Sequence, residues 1–497
     1  MKSLRIAFAA LTLLSASLTL KAQEPWLNLY YSKGSDYKAY NMNDVSDITF
    51  NEEEGTMSVN FAGREPLTVS AGLLDHFTIG HAAPTLYITT NDYTDEIFSK
   101  EIYMSGTLRF EGRGLADSFE LPMQIRGRGN STWGYPKKPY RIKFEEKQRM
   151  LLPKKAKNFV LLANYIDPSF MRNTAAYLFG EVINMPWINH TYPVDVYFND
   201  LYKGTYQLSE KTGFNNGSID LKAADEANSI LFEFDVNNPD EDEYPFSSAE
   251  YDSYNGYYMS VRIKDPDAPA DETARENWLE KWRDDFNSFM ETVDSRNTEA
   301  IFNACDLETL VRYIMVFDLA CNQELNHPKS VFTYKTDGDK YRFAPCWDFD
   351  WAFGYQPSYK RGQSNYWTWN GTVYESYENP LLGPAMENEH YSNDGFAGEF
   401  FYVLCNNQTF LKRFREVWDD FYANGREEFF KRFDAYAALL EPSAARQALN
   451  PSLLQKYQYN PTAVAELRQW LVNRIEFINS DPQMGLWDPE AEFTSER

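Results

Sequence analysis

From residue 26 to about 79, hydrophobic and polar positions alternate over short spans, as in Ile48-Thr49-Phe50 and Met57-Ser58-Val59-Asn60-Phe61, with turn residues between the runs. That pattern predicts a small module of short β-strands, and Gly80-His81-Ala82-Ala83-Pro84 reads as its linker. Further strands are expected at 86–89 and 106–111. The apolar run at 158–165 reads as a buried strand. Asp167-Pro168-Ser169 then signals the start of a helix over 170–182, with Met171, Ala175, Leu178 and Phe179 on one face. Residues 194–198 and 204–211 flank Asn199-Asp200, and residues 331–335 and 340–343 flank Thr336-Asp337-Gly338-Asp339, so both pairs read as hairpins. Helical spacing predicts helices at 277–293, 307 to about 321, 409 to about 422, 426–440, 442–450 and 461–479. In the first of these Trp278, Leu279, Trp282, Phe286 and Phe289 form a core stripe, so its tryptophans read as packing. Two stretches carry neither period. The acidic segment 235–258 lacks the twelve-residue calcium pattern and reads as a solvated loop; the Tyr-, Asn- and Gly-rich segment 356–394 reads as a long surface loop facing substrate.

A chain of 497 residues that is 43% hydrophobic and 16% aromatic folds around a substantial core rather than staying disordered. Lys2 and Arg5 precede an apolar run from Ile6 to Leu20, and Ala22 offers a small residue for cleavage, so residues 1–22 read as a signal peptide. No later segment reaches the apolar length that spans a bilayer, and the expectation is an exported protein: periplasmic, cell-surface or secreted. The formal charge of −25 excludes nucleic acid as the main partner, because that binding rests on basic patches and counterion release. Cys305, Cys321, Cys346 and Cys405 lack zinc-site spacing. Cys321 and Cys346 bracket the second hairpin and would pair in an oxidising compartment; the preferred alternative keeps all four free and buried.

Two stretches carry candidate chemistry. In F-A-P-C-W-D-F-D-W-A-F-G, Phe343 to Gly354, Asp348 and Asp350 are separated by one phenylalanine, and burying two carboxylates together is costly unless a cation offsets them. Residues two apart on a strand share a face, which argues against a glycosidase pair flanking a scissile bond. In Arg126-Gly127-Arg128-Gly129-Asn130-Ser131-Thr132-Trp133 and the strand Tyr140 to Phe144, glycines give backbone access and the bases give charge suited to phosphate oxygens. Arg141 and Lys143 share a strand face, and Glu210 lies at the exit of the first hairpin.

The strings R-G-R-G-N-S-T-W, K-K-P-Y-R-I-K-F, L-L-A-N-Y-I-D-P-S-F-M-R-N, V-D-V-Y-F-N-D-L-Y-K-G-T-Y-Q-L-S-E and P-C-W-D-F-D-W-A-F-G resemble those of the CotH family, atypical protein kinases of the spore-coat type, across residues 85–480. The resemblance implies an α+β, divergent protein-kinase-like fold with a mostly helical C-terminal part, here preceded by the small β module. It divides the chain into a signal peptide (1–22), the β module (23–82), a CotH-like kinase domain (83–480) and a tail (481–497). It implies ATP with Mg²⁺ or Mn²⁺ as cofactors and transfer of the γ-phosphoryl group to Ser or Thr hydroxyls of a protein partner. Asp348 falls on the metal-binding aspartate and Asp350 on the second acid of that motif. Arg126, Arg128 and Lys143 are the phosphate-binding candidates, with Glu210 in support. Where the family commonly shows Asn-x-Asp, this chain has Asn322-Gln323-Glu324, so Glu324 takes the place of the catalytic aspartate. Lys329 takes the later polar position, which leaves Asn326 as the nearest amide for the metal. The alternative is a catalytically weak or inactive CotH-like surface protein that binds a glycan or protein partner.

Overall fold

The computed structural model describes residues 25–31, 37–80, 82–94, 96–215, 217–234, 244–247, 260–325, 329–356, 366–369, 372–375, 377–382, 394–450, 453 and 459–486. The chain falls into two compact units, one comprising residues 1–84 and 111–118 and the other 85–110 and 119–497.

The first unit contains β1 (Trp26–Tyr31), β2 (Tyr37–Asn41), β3 (Val45–Asn51), β4 (Thr56–Phe61), β5 (Arg64–Ser70) and β6 (Leu74–Gly80). They form two three-stranded antiparallel sheets, β2-β1-β6 and β3-β4-β5. Period two sends Leu27 and Leu29 of β1, and Met57, Val59 and Phe61 of β4, into one small core with Val69.

The second unit opens with β7 (Thr85–Thr90), β8 (Met104–Glu111), β9 (Phe119–Gly127), β10 (Tyr140–Gln148) and β11 (Ala156–Leu162). After α1 (Arg172–Val182) come β12 (Thr191–Phe198) and β13 (Leu201–Glu210). These strands close into a seven-stranded barrel, ordered β10-β11-β13-β12-β7-β8-β9. Strands β7 and β12 pair in parallel, and the β8–β9, β9–β10, β10–β11, β11–β13 and β12–β13 pairs are antiparallel. Alternate residues, among them Leu108, Ile125, Ile142 and Leu161, are fully buried. Phe110, Phe119, Phe144 and Phe159 meet in successive ring contacts of 5.3, 6.0 and 6.1 Å. The β12–β13 turn holds Asn199 and Asp200 at φ 46 and 65, the left-handed pair a two-residue hairpin turn requires.

After the short α2 (Ala223–Glu226), β14 (Ser229–Phe234), β15 (Tyr244–Ser247), β16 (Ser260–Asp265), β17 (Val331–Thr336) and β18 (Arg342–Phe343) form an antiparallel sheet ordered β15-β16-β14-β17-β18. Helices α3 (Glu272–Asp294), α4 (Thr298–Ala304) and α5 (Leu307–Ala320) separate β16 from β17. Helix α5 is apolar nearly all round and buried along its length, the pattern of a central core helix. The remaining elements are β19 (Tyr355–Gln356), β20 (Tyr366–Trp369), β21 (Thr372–Glu375), α6 (Asp394–Cys405), α7 (Gln408–Asp420), α8 (Arg426–Leu449) and α9 (Pro461–Ser480).

Three expectations change. Strand β15 lies inside the segment read as a solvated loop, because pairing with β16 extends the sheet where the sequence shows no apolar alternation. Part of the 356–394 segment forms the small sheet β19-β21-β20. The two tail helices expected at 426–440 and 442–450 are one, α8, which runs through Pro442. Its second half is held to the barrel from beyond the proline: Ser443 hydrogen-bonds Thr205 at 2.9 Å, and Gln447 accepts from the Thr205 amide and from Lys137 Nζ. Tertiary bonds thus offset the local cost of the proline. All four cysteines are free and buried, so the Cys321–Cys346 pairing is not formed.

Candidate functional site

The acidic segment is positioned by aromatic packing and by hydrogen bonds to its backbone. Trp347 stacks on Tyr177 of α1 at 6.3 Å, while Phe349 meets the same ring edge-on at 6.2 Å and Phe317 of α5 at 5.1 Å. With both neighbours turned into the core, Asp348 is left half-exposed between them, at φ 67. Asp tolerates that left-handed conformation better than most residues do. Asn173 accepts a hydrogen bond from the Phe349 amide at 2.8 Å, and Arg172 Nε donates to Ala352 O at 3.2 Å. The Phe353 amide donates to Ala320 O, where α5 ends, at 2.7 Å. Arg172 is in turn fixed by a fully buried ion pair with Asp167, whose carboxylate also caps the start of α1. The sequence D-P-S-F-M-R-N is therefore the bracket that holds the acidic loop.

Burial pushes the Asp350 carboxyl well above its ordinary value, and the charge of Asp348, a hydrogen bond between the two carboxyls and the charge of Asp167 add to it; Arg172 opposes them. A cation bound beside two neighbouring carboxylates offsets their mutual repulsion. Among the described residues no three His, Cys, Asp or Glu side chains gather as a metal cage. Two carboxylates alone suit a cation such as Mg²⁺, which keeps water and substrate phosphate among its ligands.

Arg128 lies within electrostatic range of this pair. Burial lowers its pKa, while Asp348, Tyr177, Glu233 and Asp350 favour its charge. Its guanidinium lies 5.4 Å from the Trp347 ring. Arg126 donates to Lys100 O and lies 5.1 Å from the Tyr103 ring, and Arg141 donates to Asn158 Oδ1 at 3.0 Å. Burial lowers the Arg141 pKa, and both Arg126 and Arg128 lower it further, so the three guanidinium groups lie within mutual electrostatic range. The amides of Gly127 and Arg128 are already bonded, to Ser99 O and Pro139 O, so a phosphate would meet side chains there rather than those amides. A Cβ on Gly127 would lie 2.3 Å from the Trp133 ring, which gives that glycine a packing role.

Lys143 is exposed on β10 and lies 5.8 Å from the Tyr103 ring, which Arg126 approaches at 5.1 Å and Arg141 at 5.8 Å. Lys211 also lies within electrostatic range of Arg141. Burial, followed by the charge of Arg141, pushes its pKa down to about 8, while Asp265 and Asp267 hold it up. Lys211 directly follows β13, and no basic motif marks it in the sequence. Glu210 is fully buried and accepts from the His190 amide at 2.8 Å, with His190 Nδ1 2.9 Å from its other oxygen. Burial works against the charge on His190, yet the hydrogen bond and charge of Glu210, with the charge of Glu181, hold its pKa above the usual value. Glu210 thus braces His190.

The polar loop follows directly from α5, whose chain turns at Cys321 in the left-handed region. Asn322, 3% exposed, donates from Nδ2 to Asp348 O at 3.1 Å and accepts the Glu324 amide on Oδ1 at 3.1 Å. One side chain thereby ties the backbone of Glu324 to that of Asp348, a link that sequence spacing alone did not reveal. Glu324 is half-buried in a short 3₁₀ turn. Ser330 donates to Asp348 Oδ2 at 3.4 Å. Asn326 lies outside the described residues.

With this geometry in place, comparison with protein families finds that the family model described as CotH kinase protein matches residues 125–478. No curated protein matches the chain.

Proposed function

The chain belongs to the CotH family, and from that premise we propose that it is an exported, Mg²⁺-dependent protein kinase of divergent kinase-like fold that transfers the ATP γ-phosphoryl group to Ser or Thr hydroxyls. The observation that supports this reading is the carboxyl pair of Asp348 and Asp350 within electrostatic range of the Arg128 guanidinium, which lies 5.4 Å from the adjoining Trp347 ring. Asp348 and Asp350 would hold the cation, which would offset the charge of the nucleotide phosphates. Arg128 meets the phosphate side of the nucleotide, and Arg141 with Lys211 supplies further positive charge. Glu324 accepts the proton of the acceptor hydroxyl, and Asn322 keeps it in register with Asp348. Among the described residues no helix is long and apolar enough to cross a membrane. The basic and apolar start of the chain supports export.

A second reading, a weak or inactive kinase that serves as a surface binding protein, is favoured by Glu324 itself. Its extra methylene displaces the carboxylate by about 1 Å, a shift that can cost on the order of 100-fold in rate. Residues 23–497 incubated with labelled ATP, Mg²⁺ or Mn²⁺ and casein separate the two readings. The kinase predicts label on the acceptor or on the protein itself, lost in Asp348→Ala. Absence of label with wild type leaves the binding reading, and label undiminished in Asp348→Ala refutes the site.

A further inference from the structure

The barrel wall has a cavity of about 460 Å³, none of whose lining residues belongs to the cluster around Asp348. Its floor is the solvent side of three neighbouring strands. Tyr87 on β7, Arg109 on β8 and Glu120 on β9 line it, and Arg109 and Glu120 stand directly opposite in the β8–β9 register. Its rim comes from two loops that hold each other. Asn199 in the β12–β13 turn accepts from the Thr90 amide at 3.0 Å and donates to Thr90 Oγ1 at 3.1 Å. The Tyr93 hydroxyl donates to Asp200 Oδ2 at 2.6 Å.

Tyr93 is the unusual residue. A bulky side chain at φ 51 is uncommon, and such a conformation persists only where its surroundings impose it. Here the anchored hydroxyl fixes the ring while leaving the residue 53% exposed at the mouth of the cavity. Deeper in, the Tyr87 ring is clamped between the Arg109 guanidinium, 3.8 Å from its centroid, and the Tyr197 ring at 5.0 Å. The aromatic groups are thus held rigidly, which lowers the entropy lost on binding.

The lining selects the ligand class. Every residue in it bears a hydroxyl, amide, carboxylate or guanidinium group, so a purely apolar ligand would strand polar groups on burial. Glu120 and Asp200 outnumber Arg109, which disfavours phosphate and other anions. A pyranose ring matches both demands: its C–H face packs on tyrosine, and its hydroxyls give and accept hydrogen bonds around the edge. We infer that this cavity is a binding site for a neutral saccharide, presented by the barrel wall and independent of the nucleotide chemistry.

The test is affinity electrophoresis of the full chain through native gels containing arabinoxylan, galactomannan or mixed-linkage β-glucan. At least one polysaccharide should retard the wild type, and Tyr93→Ala and Glu120→Gln should each weaken that binding by about tenfold or more. Both positions are exposed, so each variant should keep the wild-type melting curve, and Asp348→Ala should be retarded as the wild type is. Passage of the wild type through all three gels without retardation overturns the inference. So does retardation that survives both substitutions. Loss of phosphoryl transfer with retention of saccharide binding would sink the kinase reading and leave this site standing.

Discussion

Asp348 owes its position to its neighbours: Trp347 and Phe349 are packed into the core on either side of it, and Asn322 and Ser330 reach it from the polar loop. The acid pair was legible in the sequence because two carboxylates between aromatic residues are conspicuous. Its support was not, since Asn173 and Tyr177 lie far away in the chain. The basic side was legible only in part. Strand periodicity puts Arg141 and Lys143 on one face, over the Tyr103 ring, whereas Lys211, after β13, comes within range of Arg141 only through the folding of the barrel. Removing Asn322 leaves a carbonyl and an amide without their partner. Asn322→Ala should lower stability by about 1–3 kcal/mol in urea unfolding. Because it also frees Glu324 from Asp348, it should slow single-turnover transfer by more than about tenfold; an unchanged rate would refute the link. Lys211 sets a pH dependence. Its folded pKa of about 8 lies below its ordinary 10.5, so burial of the charged form opposes folding below pH 8, and that cost fades as pH rises toward 10.5. For the nucleotide the sign is opposite: the cation is present below pH 8 and lost above it. ATP affinity measured by calorimetry should weaken by up to about tenfold from pH 7 to 9 in wild type and stay flat in Lys211→Arg. An equal slope in both would remove Lys211 from the site.

Among the elements, α1 and α5 act as brackets. Helix α1 grips the acidic loop through Arg172 and Asn173, and the end of α5 receives the Phe353 amide and launches the polar loop. Periodicity located both helices and both hairpins. It missed β15, whose partner strand supplies the stability, and it broke α8 at Pro442, where bonds to Thr205 and Lys137 carry the helix onward. Helix α9 is tied to α5 through Arg474, which is fully buried and donates to Asp318 Oδ1 at 2.8 Å and to the carbonyls of Asp318, Tyr377 and Asn379. Arg474→Ala strands the Asp318 carboxylate in the core. It should cost about 3–5 kcal/mol in chemical denaturation; a loss below about 1 kcal/mol would show that the pair does not anchor α9.

In the whole molecule, the module of residues 26–80 has its own small core, and the chemistry gathers in the second unit, where the barrel and the five-stranded sheet contribute opposite charges. Composition alone pointed away from anionic ligands, since the chain carries a formal charge of −25. The fold answers that by bringing Arg126 and Arg128, at the end of β9, within electrostatic range of Arg141 on β10, and Arg141 within range of Lys211 after β13; of these, only Lys211 lies outside the basic stretch that the sequence displays. The central claim is that Asp348 and Asp350 hold a divalent cation for a nucleotide that Arg128 meets. Calorimetric titration of ATP into wild type, Asp348→Ala and Arg128→Ala, each with Mg²⁺ and with EDTA, tests it most directly. The account predicts binding by wild type that requires Mg²⁺ and is lost or weakened by about tenfold or more in either variant. Binding indifferent to Mg²⁺ and to both substitutions, or no binding by wild type, would contradict it.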